Sequence, residues 1–308
     1  MAEHHLDGSI TQPFWDNSVE PRLEIASGDV VVFDLPECCG QVTPDWGDDE
    51  LANVDFSIVH ALLGSVLIKG AEPGDTLQVE LLDMKHRGWG WSGHLPGFGL
   101  LADDFDSTYI HHWKVTDDGC DFGVGGIVVP FAPFCGVIGV APKEAGRLDT
   151  IPPRIHGGNL DIRDMGVGSR AWLPVFVEGA LFSCGDAHSA QGDGEVSGTA
   201  VESPMEATLR LTVVKDRPIK ELQFETPRIL GASGAAGYHV TTAHGPDLYE
   251  NAKNSVRAMI DFLVEHHGLT RSQAYVLCST AVDLKISEIV DAPNWIVSAY
   301  LPRSIFRG

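Results

Sequence analysis

The chain has few basic residues and no long run of charge of one sign. Of its 308 residues, 43 are acidic and 21 are basic, only eight of them lysine, and the formal net charge is −22. A protein of this charge repels nucleic acid and anionic membrane surfaces, so neither is expected as a partner. A neutral substrate would be indifferent to the charge. The acidic residues are spread along the chain, which is typical of a solvated surface.

The cysteines lack the spacing of a disulfide framework or a structural metal site. They stand at positions 38, 39, 120, 135, 184 and 278, with no Cys-x-x-Cys pair. Neighbouring cysteines such as Cys38 and Cys39 are not expected to bond each other, so free thiols in a reducing compartment are the simpler interpretation. Residues 1–7 also lack the basic region and apolar core of a secretory signal, and a cytoplasmic location is expected.

The chain contains no credible membrane helix, although residues 122–142 carry no charge. Three prolines and five glycines in this stretch would interrupt a spanning helix repeatedly. The β-branched runs at 127–129 and 137–140 instead predict short buried strands.

Short apolar runs separated by Gly-Asp and Pro-Gly turns predict a mainly β fold. The predicted strands include 29–33, 65–68, 76–82, 175–177 and 207–214. Residues 66–75 align with residues 175–186 if two residues are inserted, which indicates duplicated β-sandwich or barrel-like units. We expect a first β unit over 1–150, a second over 151–219 that carries the candidate site, and a C-terminal α+β portion over 220–308.

The C-terminal portion carries two helix patterns. One opens after Gly245-Pro246 and stops at Gly268, and the other begins at a capping box from Thr270 to Gln273. A strand is expected over 294–300. We expect this portion to shape the substrate mouth and to form a subunit interface, in a homodimer or a higher homo-oligomer. The aromatic segment 88–98 is interpreted as a packed loop or as a lid, and the packed loop is favoured.

Residues 179–195 concentrate acidic, imidazole and amide side chains between glycines more tightly than any other segment. Asp186 and His188 are two residues apart, so on an extended strand both side chains leave from one face, as a metal site requires. Gly-Asp-Gly at 192–194 predicts a hairpin turn, with Glu195 close to that pair on the returning strand. This arrangement indicates metal-assisted hydrolysis. The alternative is a polar loop whose side chains only satisfy backbone donors.

A second polar motif, His-Gly-Gly-Asn-Leu-Asp, lies at residues 156–161. Its two glycines would allow the backbone to approach a ligand closely, and Asn159 and Asp161 share one face. Alone, the motif is equally typical of an ordinary turn. His60 precedes an apolar run and is interpreted as either a core or a functional histidine.

Three longer motifs carry a resemblance to a known family. They are Gly-Gly-Asn-Leu-Asp at 157–161, Leu-Pro-Val-Phe-Val-Glu-Gly-Ala at 173–180, and Gly-Asp-Ala-His-Ser-Ala-Gln-Gly-Asp-Gly-Glu at 185–195, which continues to Glu202. With further motifs at 70–75, 136–142 and 299–306, the chain resembles the acetamidase/formamidase family over essentially its whole length. The resemblance implies a largely β architecture, a bound divalent metal, and hydrolysis of short aliphatic amides to carboxylate and ammonia.

Substrate preference varies in such proteins, some of which resemble cyclic-amide (lactam) hydrolases. The resemblance therefore implies the bond type better than the substrate. Cys184 stands where a small aliphatic residue is expected before Gly-Asp, which argues against a nucleophilic role for its thiol.

The expected mechanism is attack by metal-activated water, because a divalent ion lowers the pKa of its water and polarises a carbonyl. Asp161, Asp186 and His188 are the expected ligands, with Glu202 as a weaker fourth. A mixed oxygen and nitrogen set suits zinc better than calcium, and an additional all-oxygen calcium site is left open.

Glu195 is expected to serve as general base for the water and then to protonate the departing ammonia. The roles of Glu195 and Glu202 could be reversed. Asn159 and Gln191 are candidates to hydrogen-bond a small neutral amide substrate. His60 is grouped with them, since its position resembles one that the family uses.

Two other classes of protein stay open. A serine or cysteine hydrolase would need a nucleophile beside a base, and neither a Gly-x-Ser-x-Gly elbow nor a Glu-Lys-Cys arrangement is evident. A non-catalytic, calcium-stabilised β protein would contain the same acidic turns. It would not need His188, because imidazole adds little to a hard calcium site.

Overall fold

The computed structural model describes residues 1–152, 154–219, 222–225, 238–288 and 295–306. The α-helices of the described residues are α1 (Asp48–Leu51), α2 (Leu248–His267) and α3 (Arg271–Ala281). The strands are β1 (Glu3–Leu6), β2 (Leu23–Ile25), β3 (Val30–Leu35), β4 (Leu63–Ile68), β5 (Thr76–His86), β6 (Trp89–His94), β7 (Tyr109–Thr116), β8 (Gly119–Asp121), β9 (Val128–Val129), β10 (Phe134–Gly139), β11 (Gly157–Asn159), β12 (Arg170–Pro174), β13 (Phe182–His188), β14 (Met205–Val214), β15 (Gln223–Glu225), β16 (Tyr238–Gly245), β17 (Asp283–Glu288) and β18 (Trp295–Pro302).

Two sheets share one hydrophobic core and form the main body of the fold. Their strand orders are β1-β3-β14-β5-β12-β15 and β11-β10-β13-β4-β2. Apolar side chains from both sheets are buried together, and the rings of Phe33 on β3 and Phe182 on β13 meet edge to face with centroids 6.1 Å apart. The prediction of a mainly β fold with a C-terminal α+β portion is confirmed.

Both sheets combine strands from residues 1–150 and 151–219. Strand β14 pairs with β3 and β5, and β13 pairs with β10 and β4. The two predicted β units are therefore interleaved in space, and the division at residue 150 stays a prediction. Lys220, at the predicted start of the third unit, lies outside the described residues.

Most of the predicted strands are confirmed, and one is wrong. The runs at 29–33, 65–68, 76–82 and 207–214 fall, to within one residue, in β3, β4, β5 and β14. Residues 175–177 do not form a strand, because β12 ends at Pro174 and the chain then turns, with Ala180 N donating to Val177 O at 3.1 Å. A short apolar run does not distinguish a strand from a buried turn.

The uncharged stretch 122–142 contributes β9 and β10, as predicted. Val129, Phe134 and Val137 are buried there. Among the helices of the described residues, none combines the length and the apolar character needed to cross a bilayer.

The predicted C-terminal helices are confirmed together with their caps. The Asp247 carboxylate accepts hydrogen bonds from two backbone N–H groups in the first turn of α2, and Gly268 ends that helix with a φ of 66°. Thr270 and Gln273 form the capping box of α3. Both helices pack with β7, β8 and β18 around a second hydrophobic core. The predicted last strand is β18, and Asn294, where it was expected to begin, lies outside the described residues.

Candidate active site

Three neighbouring strands bring the two polar motifs together. Strand β10 pairs with β11 on one side and with β13 on the other. Asn159 ends β11, and the N–H of Asp161 is directed to the Gly136 carbonyl of β10 at 3.2 Å. Asp186 and His188 lie on β13. Side chains that are about 25 residues apart in sequence therefore converge over the backbone of Gly136.

Gly136 leaves the space in which these side chains meet. A Cβ atom at this position would lie 2.5 Å from Asp161 Oδ1, 2.5 Å from Asp186 Oδ2 and 2.9 Å from the His188 ring. Separations this short do not occur for real Cβ atoms, so any larger residue would displace the carboxylates.

The inward face of β13 changes at Asp186. On a regular strand, side chains three residues apart point to opposite faces of the sheet. Cys184 and Ala187 are three apart, yet both point into the sandwich core. Asp186 has a φ of 54°, and Asp161 and Glu195 have φ values of 47° and 40°. Such conformations cost about 1–3 kcal/mol each for a residue with a Cβ, and they persist where the surrounding structure holds them.

His188 lies at the centre of the cluster. Its Nε2 is 3.1 Å from Asp186 Oδ1 and 3.1 Å from Glu202 Oε2. The Gln191 amide donates from Nε2 to the Asp161 carbonyl at 2.9 Å, which directs its Oε1 to His188 Nδ1, also at 2.9 Å. Nδ1 must therefore carry the proton, and Nε2 faces the two carboxylates.

Glu202 is held firmly beside this histidine. Its backbone exchanges hydrogen bonds with that of Trp91, at 2.8 and 2.9 Å, and its Oε1 accepts a hydrogen bond from Ala200 N at 2.8 Å. Its Oε2 is buried and faces His188 Nε2 at 3.1 Å, and it accepts no hydrogen bond from any other described residue. One carboxylate oxygen is thus fixed and the other is free for a ligand.

Glu195 reaches the cluster from a loop and not from a returning strand, so that part of the hairpin prediction is wrong. A turn does form, since Glu195 N donates to Gly192 O at 3.1 Å. A second turn follows at once, with Gly198 N donating to Glu195 O at 2.8 Å, and this keeps the chain from extending. The Glu195 side chain lies close enough to Asp161 for the two charges to influence each other.

The carboxylates crowd negative charge into a buried space. Burial and the charge of Asp186 raise the pKa of Asp161 to about 7. Burial also raises the pKa of Glu202 to about 7, and burial together with the Asp161 charge raises the pKa of Glu195 well above its usual value. We call Asp161, Asp186, His188, Glu195 and Glu202 the acid and histidine cluster.

The histidines respond to this charge. Burial opposes ionisation of Asp186, yet its pKa is lowered because His188 and His60 lie beside it. Burial likewise opposes protonation of His188, whose pKa is nevertheless raised by the carboxylates of Asp186 and Glu202. The cluster therefore needs positive charge, which protons or a cation can supply.

His60 and Asn159 also face the cluster. Thr150 Oγ1 donates to the Val59 carbonyl at 2.9 Å, so it accepts from His60 Nδ1, at 3.1 Å. His60 Nε2 is then free and lies 3.8 Å from Asp186 Oδ2, and burial lowers the pKa of the ring. Asn159 Oδ1 is buried without a hydrogen-bond partner among the described residues.

A cavity of about 130 Å³ opens onto the cluster. Asn159, Asp161, Asp186, Glu195, Glu202 and His60 line it, whereas Gln191 lies behind His188 and does not. Its remaining lining residues are Cys38, Cys39, Leu51, Val54, Phe56, Val59, Trp91, Leu95, Phe98, Ile151, Gly198 and Thr199. All eight predicted site residues therefore converge. Six of them line the cavity, whereas His188 and Gln191 are not among its lining residues.

One part of the cavity wall beside the cluster was not predicted from the sequence, and there Cys38 Sγ lies within 4.8 Å of carboxylate oxygens of Asp186 and Glu202. Glu37 accepts hydrogen bonds from Trp91 Nε1 at 3.0 Å and from three backbone N–H groups of residues 39–42. It thereby holds the turn that carries Cys38 and Cys39, whose sulfurs are 3.3 Å apart. No recognisable spacing marks these residues. Cys184, by contrast, is fully buried in the sandwich core and does not line the cavity.

Four sets of side chains among the described residues could hold a metal ion, and within each set the ligand atoms lie within 4.8 Å of one another. Two sets join His188 to carboxylates: Asp161 with Asp186, and Glu195 with Glu202. The other two contain Cys38, with Asp186 and Glu202 or with Glu37 and Cys39. Carboxylates and a histidine can coordinate a divalent ion and activate water for hydrolysis.

The chain matches one protein family over nearly its whole length. A model of the Acetamidase/Formamidase family matches residues 7–147 and 143–308. The formamidase of Methylophilus methylotrophus is 28% identical, over 87% of this chain and 82% of that protein. The acetamidase structure from Bacillus halodurans is 32% identical and covers 98% of both chains, with a TM-score of 0.68. The gamma lactamase structure from Delftia acidovorans has a TM-score of 0.91 at 25% identity, and covers 99% of this chain and 94% of that one.

Proposed function

Because the chain belongs to the acetamidase/formamidase family and is an amidase acting on carbon–nitrogen bonds other than peptide bonds, we propose that it hydrolyses a small neutral amide with the help of a divalent metal ion. The products are a carboxylate and ammonia. The observation that carries this proposal is the convergence of buried carboxylates on His188 Nε2 at the end of a cavity.

The residues present fit a divalent cation. Asp161 Oδ1 and Glu202 Oε2 are buried without hydrogen-bond partners among the described residues. A metal ion bound at the site would be coordinated by both oxygens. Asp161, Asp186, His188 and Glu202 would hold it, and this mixed donor set suits zinc, whereas a central imidazole is unsuited to calcium. When bound, the ion would lower the pKa of a water and polarise the substrate carbonyl.

Glu195 is the proposed general base. It takes a proton from water as the water oxygen bonds to the carbonyl carbon, and it delivers that proton to nitrogen as the carbon–nitrogen bond breaks. Burial and the Asp161 charge raise the pKa of Glu195, so its carboxylate binds a proton more readily than an exposed glutamate would. Glu202 is the better ligand of the two, because its Oε1 and its backbone are already fixed by neighbours.

Asn159 and His60 are proposed to orient the amide. Asn159 Oδ1 can accept a hydrogen bond from the amide NH₂ group, and His60 Nε2 can accept another. We propose that Gln191 positions His188 instead of binding substrate, because its amide already bonds His188 Nδ1 and the Asp161 carbonyl.

A cyclic amide is the second candidate substrate. The overall fold is similar to a gamma lactamase with a TM-score of 0.91, and ring opening breaks the same kind of bond. Lactam hydrolysis releases an amino acid and no ammonia, so it must be followed by chromatography. The expected homo-oligomeric state and cytoplasmic location stay predictions, and light scattering on the purified protein would test the former.

Metal analysis together with ammonia release tests the proposal. We expect activity to fall with the metal content on chelation and to return when zinc is added. His188→Ala and Asp161→Asn should lower metal content and activity together, whereas Cys184→Ala, in the sandwich core, should retain most of both. Full turnover by protein confirmed to be metal-free would contradict metal dependence.

A further inference from the structure

The cavity has two chemically different ends. At its closed end Asp186 and Glu202 are only 3% and 2% exposed. At its mouth stand Phe56, Phe98 and Ile151, which are 45%, 37% and 41% exposed. Large apolar side chains that are exposed together around an opening are typical of a ligand-binding site.

The wall between these ends is apolar and firmly packed. Leu51, Val59, Trp91 and Leu95 line the cavity and also belong to one buried hydrophobic cluster. The Phe98 ring rests against Gly198, where a Cβ would collide with it. The cavity shape is thus set by the fold and not by mobile side chains.

The charges of the cavity restrict its ligand further. Among the described lining residues there is no lysine or arginine, and the acid and histidine cluster lies at the closed end. A substrate with a carboxylate or phosphate would find no partner and would be repelled. The part of the substrate that extends away from the cluster must therefore be uncharged and apolar.

The size of the cavity exceeds that of the smallest amides. Its volume of about 130 Å³ is close to that of an apolar protein cavity of about 150 Å³ that admits benzene. Formamide and acetamide would leave most of the apolar wall in contact with water.

We propose that the substrate is a primary amide whose apolar acyl group, of about four to six carbons, extends from the acid and histidine cluster along the apolar wall to the mouth of the cavity. This inference rests on the proposed function. The carboxamide meets the acid and histidine cluster, and the acyl group lies along Leu51, Trp91 and Leu95 toward Phe98.

The test is a series of amides of increasing acyl length: formamide, acetamide, butyramide, hexanamide and benzamide. Each buried methylene should raise kcat/KM about fourfold, so hexanamide should exceed acetamide by on the order of a hundredfold. Values of kcat/KM that are highest for formamide and fall with length would overturn this inference while the proposed function stands.

A pair of variants tests whether contact with the cavity wall causes the preference for longer acyl groups. Phe98→Ala should lower the ratio of kcat/KM for hexanamide to that for acetamide several-fold. Tyr249→Ala removes an aromatic ring that is 60% exposed on α2 and does not line the cavity, and it should not change the ratio. An equal change in both variants, or in neither, would contradict the placement.

If no amide in the series is hydrolysed, hydrolysis of linear amides, the first candidate function, is wrong. Dissociation constants of the same amides, measured by calorimetry, then decide the present inference. Constants that tighten with acyl length would support an apolar ligand, and constants independent of length would overturn it.

Discussion

Glu195 and Glu202 carry the same carboxyl group, but the chain holds them differently. Glu202 is fixed through its backbone pairing with Trp91 and through its Oε1, which leaves one oxygen for a ligand. Glu195 stands between two turns, and its carboxylate accepts no hydrogen bond from a backbone N–H of the described residues. A rigid carboxylate suits coordination, and a carboxylate on a loop suits proton transfer.

Substituting each glutamate by glutamine separates the two roles. Glu195→Gln should keep the metal and reduce kcat by roughly two to four orders of magnitude, the usual contribution of general acid–base catalysis. Glu202→Gln is the matched variant and should weaken metal binding. Both are checked by metal stoichiometry measured beside kcat. Loss of metal from Glu195→Gln with retention in Glu202→Gln would reverse the assignment.

A second prediction at the residue scale concerns Gly136. Gly136→Ala places a methyl group 2.5 Å from oxygens of Asp161 and Asp186, so these side chains must move. We expect kcat to fall by roughly a hundredfold, because displacements of about 1 Å at reacting groups have effects of that size. Metal affinity should weaken as well.

Gly47→Ala is the control for that substitution. The nearest atom to a Cβ at Gly47 is the end of the Glu50 side chain, at 3.3 Å, which can rotate away. Metal titration and kcat should therefore be close to wild type in Gly47→Ala. Wild-type values in Gly136→Ala would show that the carboxylates do not meet where the structure places them.

Some of the site could be predicted from local sequence. The spacing of Asp186 and His188 indicated a shared face, and these side chains do contact each other. The role of Gly136 could not be predicted, because it depends on β10 lying between β11 and β13. The apolar wall around Trp91 likewise depends on contacts between residues far apart in sequence.

At the scale of elements, boundaries set by local chemistry were predicted best. Asp247 and Gly268 mark the ends of α2 by capping groups that lie next to the helix in sequence. The path after Gly192 was predicted less well. Glycine and aspartate indicate a turn, but whether a strand follows depends on which partner the chain meets. Here the segment after Gly192 contacts α3 and β17 and does not form a strand.

Helix α3 holds the loop that carries Glu195. The Tyr275 hydroxyl donates to Val196 O at 2.5 Å and accepts from Leu101 N at 2.8 Å, and Gly192 N donates to Ser279 O at 2.8 Å. Leu284 N of β17 adds a bond to Asp193 O at 3.2 Å. The C-terminal portion thus positions a candidate catalytic residue, and its expected role in a subunit interface stays a prediction.

Tyr275→Phe tests this support. It leaves the buried Leu101 N–H without its partner and removes one of two hydrogen bonds to Val196 O, which keeps the bond from Leu100 N, so the free energy of unfolding should fall by about 1–3 kcal/mol, measured in urea. Because the loop with Glu195 loosens, kcat should fall about tenfold while KM changes less. Tyr249→Phe, at an exposed position on α2, is the matched control and should alter neither. An unchanged kcat in a destabilised Tyr275→Phe protein would limit α3 to a structural role.

At the scale of the whole molecule, the site is assembled from most of the chain. Residues from Cys38 to Glu202 line one cavity, and α3 supports its loop from beyond residue 270. The family match likewise extends from residue 7 to residue 308. We therefore expect the site to form only when the sandwich and the C-terminal portion are both folded, since neither contains all of its contacts.

The net charge of −22 should govern how the whole molecule responds to salt. Exposed carboxylates repel one another, and this repulsion opposes the compact state. Raising the ionic strength from about 0.01 M to 0.15 M shortens the screening length from about 30 Å to about 8 Å, so repulsion across the surface weakens. We expect Tm to rise by several degrees over this range, measured by calorimetry with sodium chloride at constant pH. Surface ion pairs such as Lys215 with Asp75 weaken at the same time, but each contributes less than about 1 kcal/mol. A Tm that falls steadily with salt would show that attraction within such pairs outweighs the repulsion of the acidic surface.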